Sequence, residues 1–293
     1  MQPAVNPSPS ATSALVALHA AVLLFGFAGL FGPWLGWPPL WIVLGRTAIA
    51  AAALGALRLA DPGTRGPGAG AADPTLAANG ALLALHWFAF FAAIEVAGVA
   101  IGLLGFASFP LFTLLFERAL LGRRFDAAAG WTAVLVTAGL VLLTPSLRLS
   151  DPAVQGVAWG LVSGATFALL AVRNRRSRAT RSATDIACGQ NLWAAVMLVP
   201  VTLAMAPLPD IDGRGVVLIL ALGLVCTALA HTLFIASLGR VSAHTASVVA
   251  ALEPVYGIAL AVLLQDERPG ARTIAGGALI VGAALVATRR AVR

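Results

Sequence analysis

The chain has 293 residues, 59% of them hydrophobic and 11% charged, with a net charge of +7. A soluble domain carries about 25% charged residues, so this composition excludes an ordinary soluble fold and points to a polytopic membrane protein. All nineteen basic residues are arginines, spread between apolar runs rather than clustered on one face. That pattern excludes a nucleic-acid partner and makes the charge a matter of membrane topology.

The opening stretch, MQPAVNPSPSATS, holds no basic residue and is rich in Pro and Ser. Residues 1–13 read as a disordered tail rather than the charged head of a cleaved leader. A membrane span needs about 20 apolar residues. Ten runs qualify: Ala14–Gly32, Leu40–Leu57, Leu76–Val96, Val99–Phe116, Ala127–Leu143, Gly156–Val172, Ile186–Met205, Val216–Leu238, Ser242–Leu264 and Ile274–Ala287. The longest break, Leu59–Thr75, carries Gly, Pro and Asp and reads as a flexible loop. Cys188 and Cys226 both sit inside apolar runs and read as small buried hydrophobes.

Numbering the loops alternately by side sorts the arginines. Arg58, Arg65, Arg118, Arg123, Arg124, Arg173, Arg175, Arg176, Arg178, Arg181, Arg240, Arg289, Arg290 and Arg293 fall on one side, fourteen in all. Arg148, Arg214, Arg268 and Arg272 fall on the other, and Arg46 lies within the second run. The bias predicts an even number of spans with both termini cytoplasmic.

Shifting the second half back by 144 positions brings Pro254 onto Pro110 and Tyr256 onto Phe112. Five spans per half is an odd number, so the halves, 14–146 and 147–293, must be inverted in the membrane. Inverted repeats with interrupted helices belong to secondary transporters, whose site lies near the midplane. The expected architecture is an all-α integral membrane protein of ten transmembrane helices in two inverted five-helix repeats.

Particular residues now carry a resemblance. Leu24-Phe25-Gly26 stands in the first run and Arg46 early in the second. Ala251-Leu252-Glu253-Pro254-Val255 occupies the ninth run, followed by Asp266-Glu267-Arg268, and Gly276-Gly277-Ala278-Leu279 with Gly282 marks the tenth. In these the chain resembles the EamA-type ten-helix members of the drug/metabolite transporter superfamily, along essentially its whole length. It departs from them at Gly122-Arg123-Arg124, where the family often has Gly-Glu. The resemblance implies a carrier of the bacterial inner membrane, exporting amino acids or other small metabolites. The layout is similar to the aromatic amino-acid exporter branch.

Several residues are candidates for that work. Glu253 is a carboxylate beside a proline in an apolar run, so it needs a partner or an aqueous cavity. It either binds a substrate ammonium or a proton, or caps backbone donors near the Pro254 break. Tyr256 and Gly257 share its helical face. His86 sits halfway along the third run with Trp87, Phe90 and Phe91 beside it, and His231 holds the matching place in the second half. Gln190, Asn191 and Trp193 interrupt the seventh run, either joining helices or touching substrate. Trp159 and Phe167 are candidate cavity aromatics, and Phe109 stands in register with Glu253. Gly102, Gly105, Pro110, Pro254 and Gly257 are candidate hinge positions. Gly156, Gly160 and Gly164 form a small-residue ridge for close helix approach. Trp34, Trp37 and Trp41 read as an interfacial aromatic belt. Arg46 and Glu95 both fall toward the periplasmic face, where they either form an ion pair closing that side or each meet water and headgroups.

Other classes fare less well. There is no lysine and hence no phosphate-binding GxxxxGK[ST] loop, which sets aside an ATP-driven pump. Ser108, Ser163, Ser237 and Ser247 lack a nucleophile-elbow setting, and the histidines are scattered one per helix. An intramembrane enzyme or a channel is therefore the distant alternative. A carrier of this fold for drugs or other metabolites is the near one. No cofactor or metal is expected. The partners are a small-molecule substrate and the lipid bilayer, with the chain acting as a monomer by uniport or proton-linked exchange.

Overall fold

A computed structural model describes residues 11–61, 73–122, 127–143 and 148–291. The tail before residue 11, the loop residues 62–72 with Arg65, the Arg123-Arg124 departure and Arg293 lie outside the described residues. No strand occurs among the described residues. In chain order the helices are α1 (Ala11–Ala28), α2 (Phe31–Leu35), α3 (Pro39–Ala60), α4 (Pro74–Phe106), α5 (Phe109–Leu121), α6 (Ala127–Leu143), α7 (Pro152–Ser177) and α8 (Ala183–Met205). After these come α9 (Gly213–Gly223), a π-helical turn (Leu224–Leu229), α10 (Ala230–Ser237), α11 (Ala243–Ala250), α12 (Glu253–Gln265) and α13 (Ala271–Ala291).

The ten apolar runs fall largely on helical backbone, with turns inside the first, fourth and ninth, and among the described residues six helical stretches are long and apolar enough to cross a membrane. Large apolar side chains such as Leu23, Leu85, Val196, Leu203, Val217 and Leu263 face outward. A helix that is apolar on every side belongs in a bilayer rather than in water.

Helix α4 is two limbs. Gly98 has φ 85°, a conformation that only glycine adopts freely. A Cβ placed on Gly102 would come within 3.1 Å of the Ile94 backbone nitrogen. In one straight helix those residues would be about 12 Å apart. The chain therefore doubles back at Gly98, and residues 99–106 run back alongside residues 86–94.

The prolines mark breaks rather than kinks. A mid-helix proline predicts a kink in a continuous helix. Here the helix stops before each one. Turns at Ala107-Ser108 and Ala251-Leu252 end one helix, and Pro110 and Pro254 enter the first turn of the next. There the missing N–H has no partner to lose. An offset of 144 carries Phe109–Leu121 onto Glu253–Gln265, and it carries the left-handed cap Gly122 (φ 65°) onto Asp266 (φ 53°).

The packing follows the same offset. α1 meets α10 and α12, as α7 meets α4 and α5; α3 packs on α8, and α6 on α13. The glycine ridge of α7 lies against α4 and its break. A Cβ on Gly156 would meet Ala97, one on Gly160 would lie 2.6 Å from the Gly105 Cα, and one on Gly164 would meet the Ser108 hydroxyl. Gly257 faces Leu103 and the Gly26 carbonyl oxygen in the same way. So the space beside Gly257 admits helix α1. Gly102 and Gly105 likewise serve close packing here.

Candidate transport site

The two ends of the bundle differ in chemistry. At one, arginines stitch helices together. Arg58 pairs with Asp185 at 2.8 Å, and Arg181 pairs with Asp73. Arg173 donates to the Asn79 side chain, Arg175 to the Leu238 carbonyl at 2.6 Å and to Val241, and Arg176 to the Leu120 carbonyl at 2.7 Å. Ser182 caps α8 by accepting from the Asp185 N–H at 3.0 Å, which fixes the carboxylate that Arg58 meets. Partial burial in this collar lowers the Arg178 guanidinium from its usual range.

At the other end the Glu267 carboxylate accepts from the Ala100 N–H at 3.1 Å, just past the Gly98 turn. Gln265 donates to the Leu30 carbonyl, and the Trp37 indole to the Asp210 carbonyl. A pocket of about 250 Å³ opens here between Trp37, Ile42, Phe91 and Glu95. A second, of about 340 Å³, lies between Trp34, Trp37, Leu208, Asp212 and Arg214.

The ion pair expected between Arg46 and Glu95 is not formed. Glu95 is exposed at the rim of the first pocket, whereas Arg46 is 0% exposed. The reason is depth. α3 starts at Pro39, so Arg46 lies about 10 Å along it, two turns in, while Glu95 is three residues from the Gly98 reversal. Arg46 instead donates from Nε to the Thr227 hydroxyl at 2.8 Å and from Nη2 to the Cys226 carbonyl at 3.1 Å. The π-helical turn supplies that carbonyl, since the shifted register releases it from the usual i+4 amide. The guanidinium lies over the Trp87 ring, 3.5 Å from its centroid, with Phe91 at 5.5 Å.

Around Arg46 the structure gathers several of the expected residues. His86, His231 and Glu253 are all buried and within electrostatic reach of it. His86 stacks on Phe167 with centroids 4.6 Å apart, and Phe167 reaches Phe109 and Phe234 at 5.0 Å each. Phe90 meets Trp87 and Phe106 edge-on. Phe25 of α1 touches Trp87, Phe167 and Phe234. Glu253 opens α12, where the helix dipole favours a carboxylate.

Others lie apart from this centre. Trp159 is half-buried and pairs with Phe88, outside the cluster. Gln190 bonds Asn174 of α7 and so joins two helices. Trp193 is half-buried against Gly80, where α4 and α8 cross. Tyr256 is half-buried at the α1 contact. Pro254 lines a separate apolar groove of about 350 Å³ with Leu104, Ile258, Ile274 and Gly277. The side chain of His244 lies outside the described residues.

Sequence reasoning missed Phe25, Phe106, Phe234 and Thr227 of the centre. Their identities are those of any apolar helix, and only the fold distinguishes them. Asn191, singled out beside Gln190, does belong there. Its Nδ2 lies 2.8 Å from the Ala187 carbonyl and 3.4 Å from His231 Nδ1.

One serine does face a histidine. The Ser163 hydroxyl is 2.9 Å from His86 Nδ1, but the Ser163 carbonyl is 3.1 Å from the same nitrogen. A proton on Nδ1 shared with that carbonyl leaves no base there for the hydroxyl. No group of histidine, cysteine and carboxylate able to hold a metal occurs among the described residues.

The chain as a whole is similar to known proteins. Residues 154–289 match the EamA-like transporter family. Over 220 residues the protein is 28% identical to the pseudopaline exporter CntI of Pseudomonas aeruginosa, in two strains. The match covers 74% of this chain and 75% of CntI. A solved crystal structure superposes with a TM-score of 0.75 over 97% of this chain and 100% of its own, at 24% identity, which fixes the shared fold. The protein is thus a multi-pass membrane protein whose residues 154–289 are similar to the EamA-like transporter family, consistent with the drug/metabolite transporter superfamily.

Proposed function

We propose that the chain is a secondary transporter of the bacterial inner membrane that exports amino acids, aromatic and other neutral ones foremost, or related small metabolites. It works by alternating access between two inverted halves, 14–146 and 147–293, as a uniporter or with proton linkage. The observation that carries this reading is the buried charged and polar centre set between the two helix breaks. Glu253, Arg46, His86 and His231 lie in low-dielectric surroundings, walled by Phe25, Trp87, Phe90, Phe109 and Phe167. Isolated charges in a bilayer interior are costly and line substrate or ion paths. Mixed aromatic and polar lining suits a substrate with a zwitterionic head and an apolar part.

The arginine-rich end, on this reading, faces the cytoplasm with both termini. The pocket bounded by Trp37 and Glu95 then faces the periplasm. Similarity to a protein named as an exporter supports the outward direction. It also supports a second reading, in which the substrate is a larger metabolite or drug.

The test is counterflow in proteoliposomes with a panel of amino acids, with and without a pH gradient. Saturable exchange of neutral amino acids is expected. Movement of only a polyamine, sugar or drug would overturn the substrate class while leaving a carrier.

A further inference from the structure

Four buried polar atoms of the centre have no hydrogen-bond partner among the described residues: Arg46 Nη1, Trp87 Nε1, His231 Nε2 and Asn191 Oδ1. Leaving such groups unmade in a helical bundle is costly, more so for a charged one. They are not scattered. Arg46 lies on Trp87 at 3.5 Å, His231 is within electrostatic reach of Arg46, and Asn191 is 3.4 Å from His231.

Their chemistry sorts by sign. The Asn191 amide nitrogen is committed as a donor by its bond to the Ala187 carbonyl. It therefore donates to His231 Nδ1 as well, which places the imidazole proton on Nε2. Arg46 Nη1, Trp87 Nε1 and His231 Nε2 are then three unspent donors around one cation. Asn191 Oδ1 and the Glu253 carboxylate are the acceptors nearby.

Two features fix the guanidinium for this use. Its Nε and Nη2 are held by Thr227 and the Cys226 carbonyl, and its face rests on Trp87. A guanidinium held on one edge offers the other as a rigid fork for a carboxylate. The first pocket shares neighbours with it: its lining includes Phe91, whose ring is 5.5 Å from the guanidinium, and Ile42, one turn before Arg46 on α3.

We infer that Arg46 is the carboxylate clamp of the transport site, with the Trp87 and His231 N–H groups as accessory donors, so that the substrates are carboxylate-bearing molecules. This rests on the transporter reading above and narrows it. Glu253 and Asn191 Oδ1 receive the ammonium when the substrate is an amino acid, and Thr227 is a positioning residue acting through Arg46.

The test compares matched acids and amides on the unaltered purified chain. L-phenylalanine, L-phenylalaninamide, phenethylamine and 3-phenylpropionate are titrated against tryptophan fluorescence, then offered in proteoliposome counterflow. The acids are expected to bind about 100-fold more tightly than the amide or the amine, the size of a lost charge-assisted contact. Arg46→Gln should abolish that acid–amide ratio, Arg46→Lys should restore part of it, and Thr227→Val should reduce it. A merely structural arginine would alter all four ligands together. Amide and acid binding within about threefold, or no binding of any carboxylate, overturns the clamp, even if an amine is transported and the carrier reading stands. Selective binding of the acids with no counterflow of any compound would do the reverse, keeping the clamp and removing the carrier.

Discussion

The two helix breaks share a backbone and differ in what they hold. Each ends one helix in a two-residue turn, restarts with a proline in the next first turn, runs thirteen residues and closes on a left-handed cap. Yet the residue that opens α5 is Phe109, stacked on Phe106 and packed on Phe167, while the one that opens α12 is Glu253, within reach of Arg46. The difference teaches that the break is a property of the backbone and the charge an addition to it. At the first break the opening residue joins the apolar wall of the centre; at the second it joins the polar groups around Arg46.

The largest effect is expected on the apolar side. Phe167 joins the Phe109 break to His86, Phe25 and Phe234, so Phe167→Ala opens a cavity at the junction of both halves. Truncating a buried Phe costs about 3–5 kcal/mol. A detergent-solubilised variant should unfold at a clearly lower denaturant concentration. An unchanged midpoint would mean that the cluster is not a packed wall.

Next in size is the polar side. Glu253→Gln removes the carboxylate while keeping its shape, and should slow zwitterion counterflow by about 100-fold, the size of a lost charge-assisted contact to the substrate ammonium. Phe109→Leu, at the equivalent position, should change the same rate by less than about fivefold, since it keeps an apolar group of similar bulk. Equal losses would erase the distinction between the breaks.

A smaller effect probes how closely the halves approach. Gly160→Ala puts a methyl group 2.6 Å from the Gly105 Cα, where backbone has to move. Overpacking of this kind costs about 1–3 kcal/mol. The thermal midpoint should fall, more than for Gly55→Ala, where a Cβ meets nothing within 4 Å.

Much of this was readable from the residues. The ten apolar runs, the 144-residue offset and the arginine-rich end follow from spacing and composition, because the bilayer imposes length and charge rules on every span. The placement of Arg46 was not readable. Its sequence position fixes its depth to within a turn or two, and an ion pair with Glu95 fits the same pattern as a bond to the Cys226 carbonyl. What decides is the π-helical turn, one inserted residue in a run whose letters, LVCTAL, are those of any apolar helix. Gln190 and Asn191 show the same limit. Adjacent amides on a helix point about 100° apart, so one meets Asn174 and the other His231.

The smallest expected effect is the sharpest test of equivalence between the breaks, because it isolates the backbone. Gly122 and Asp266 close α5 and α12 in the same left-handed conformation. Nothing lies within 4 Å of a Cβ at Gly122, so Gly122→Ala carries only conformational strain, about 1 kcal/mol. Gly122→Asn should cost roughly half of that, since Asn and Asp visit this region more readily than other side chains. The reciprocal change, Asp266→Gly, should be nearly neutral, within about 0.5 kcal/mol. Relief of strain is offset by the greater freedom of glycine in the unfolded chain. Chemical unfolding of all three variants would give the comparison. If Asp266→Gly instead destabilises by more than about 1 kcal/mol, its carboxylate is holding something that Gly122 does not, and the two caps are alike in angle only.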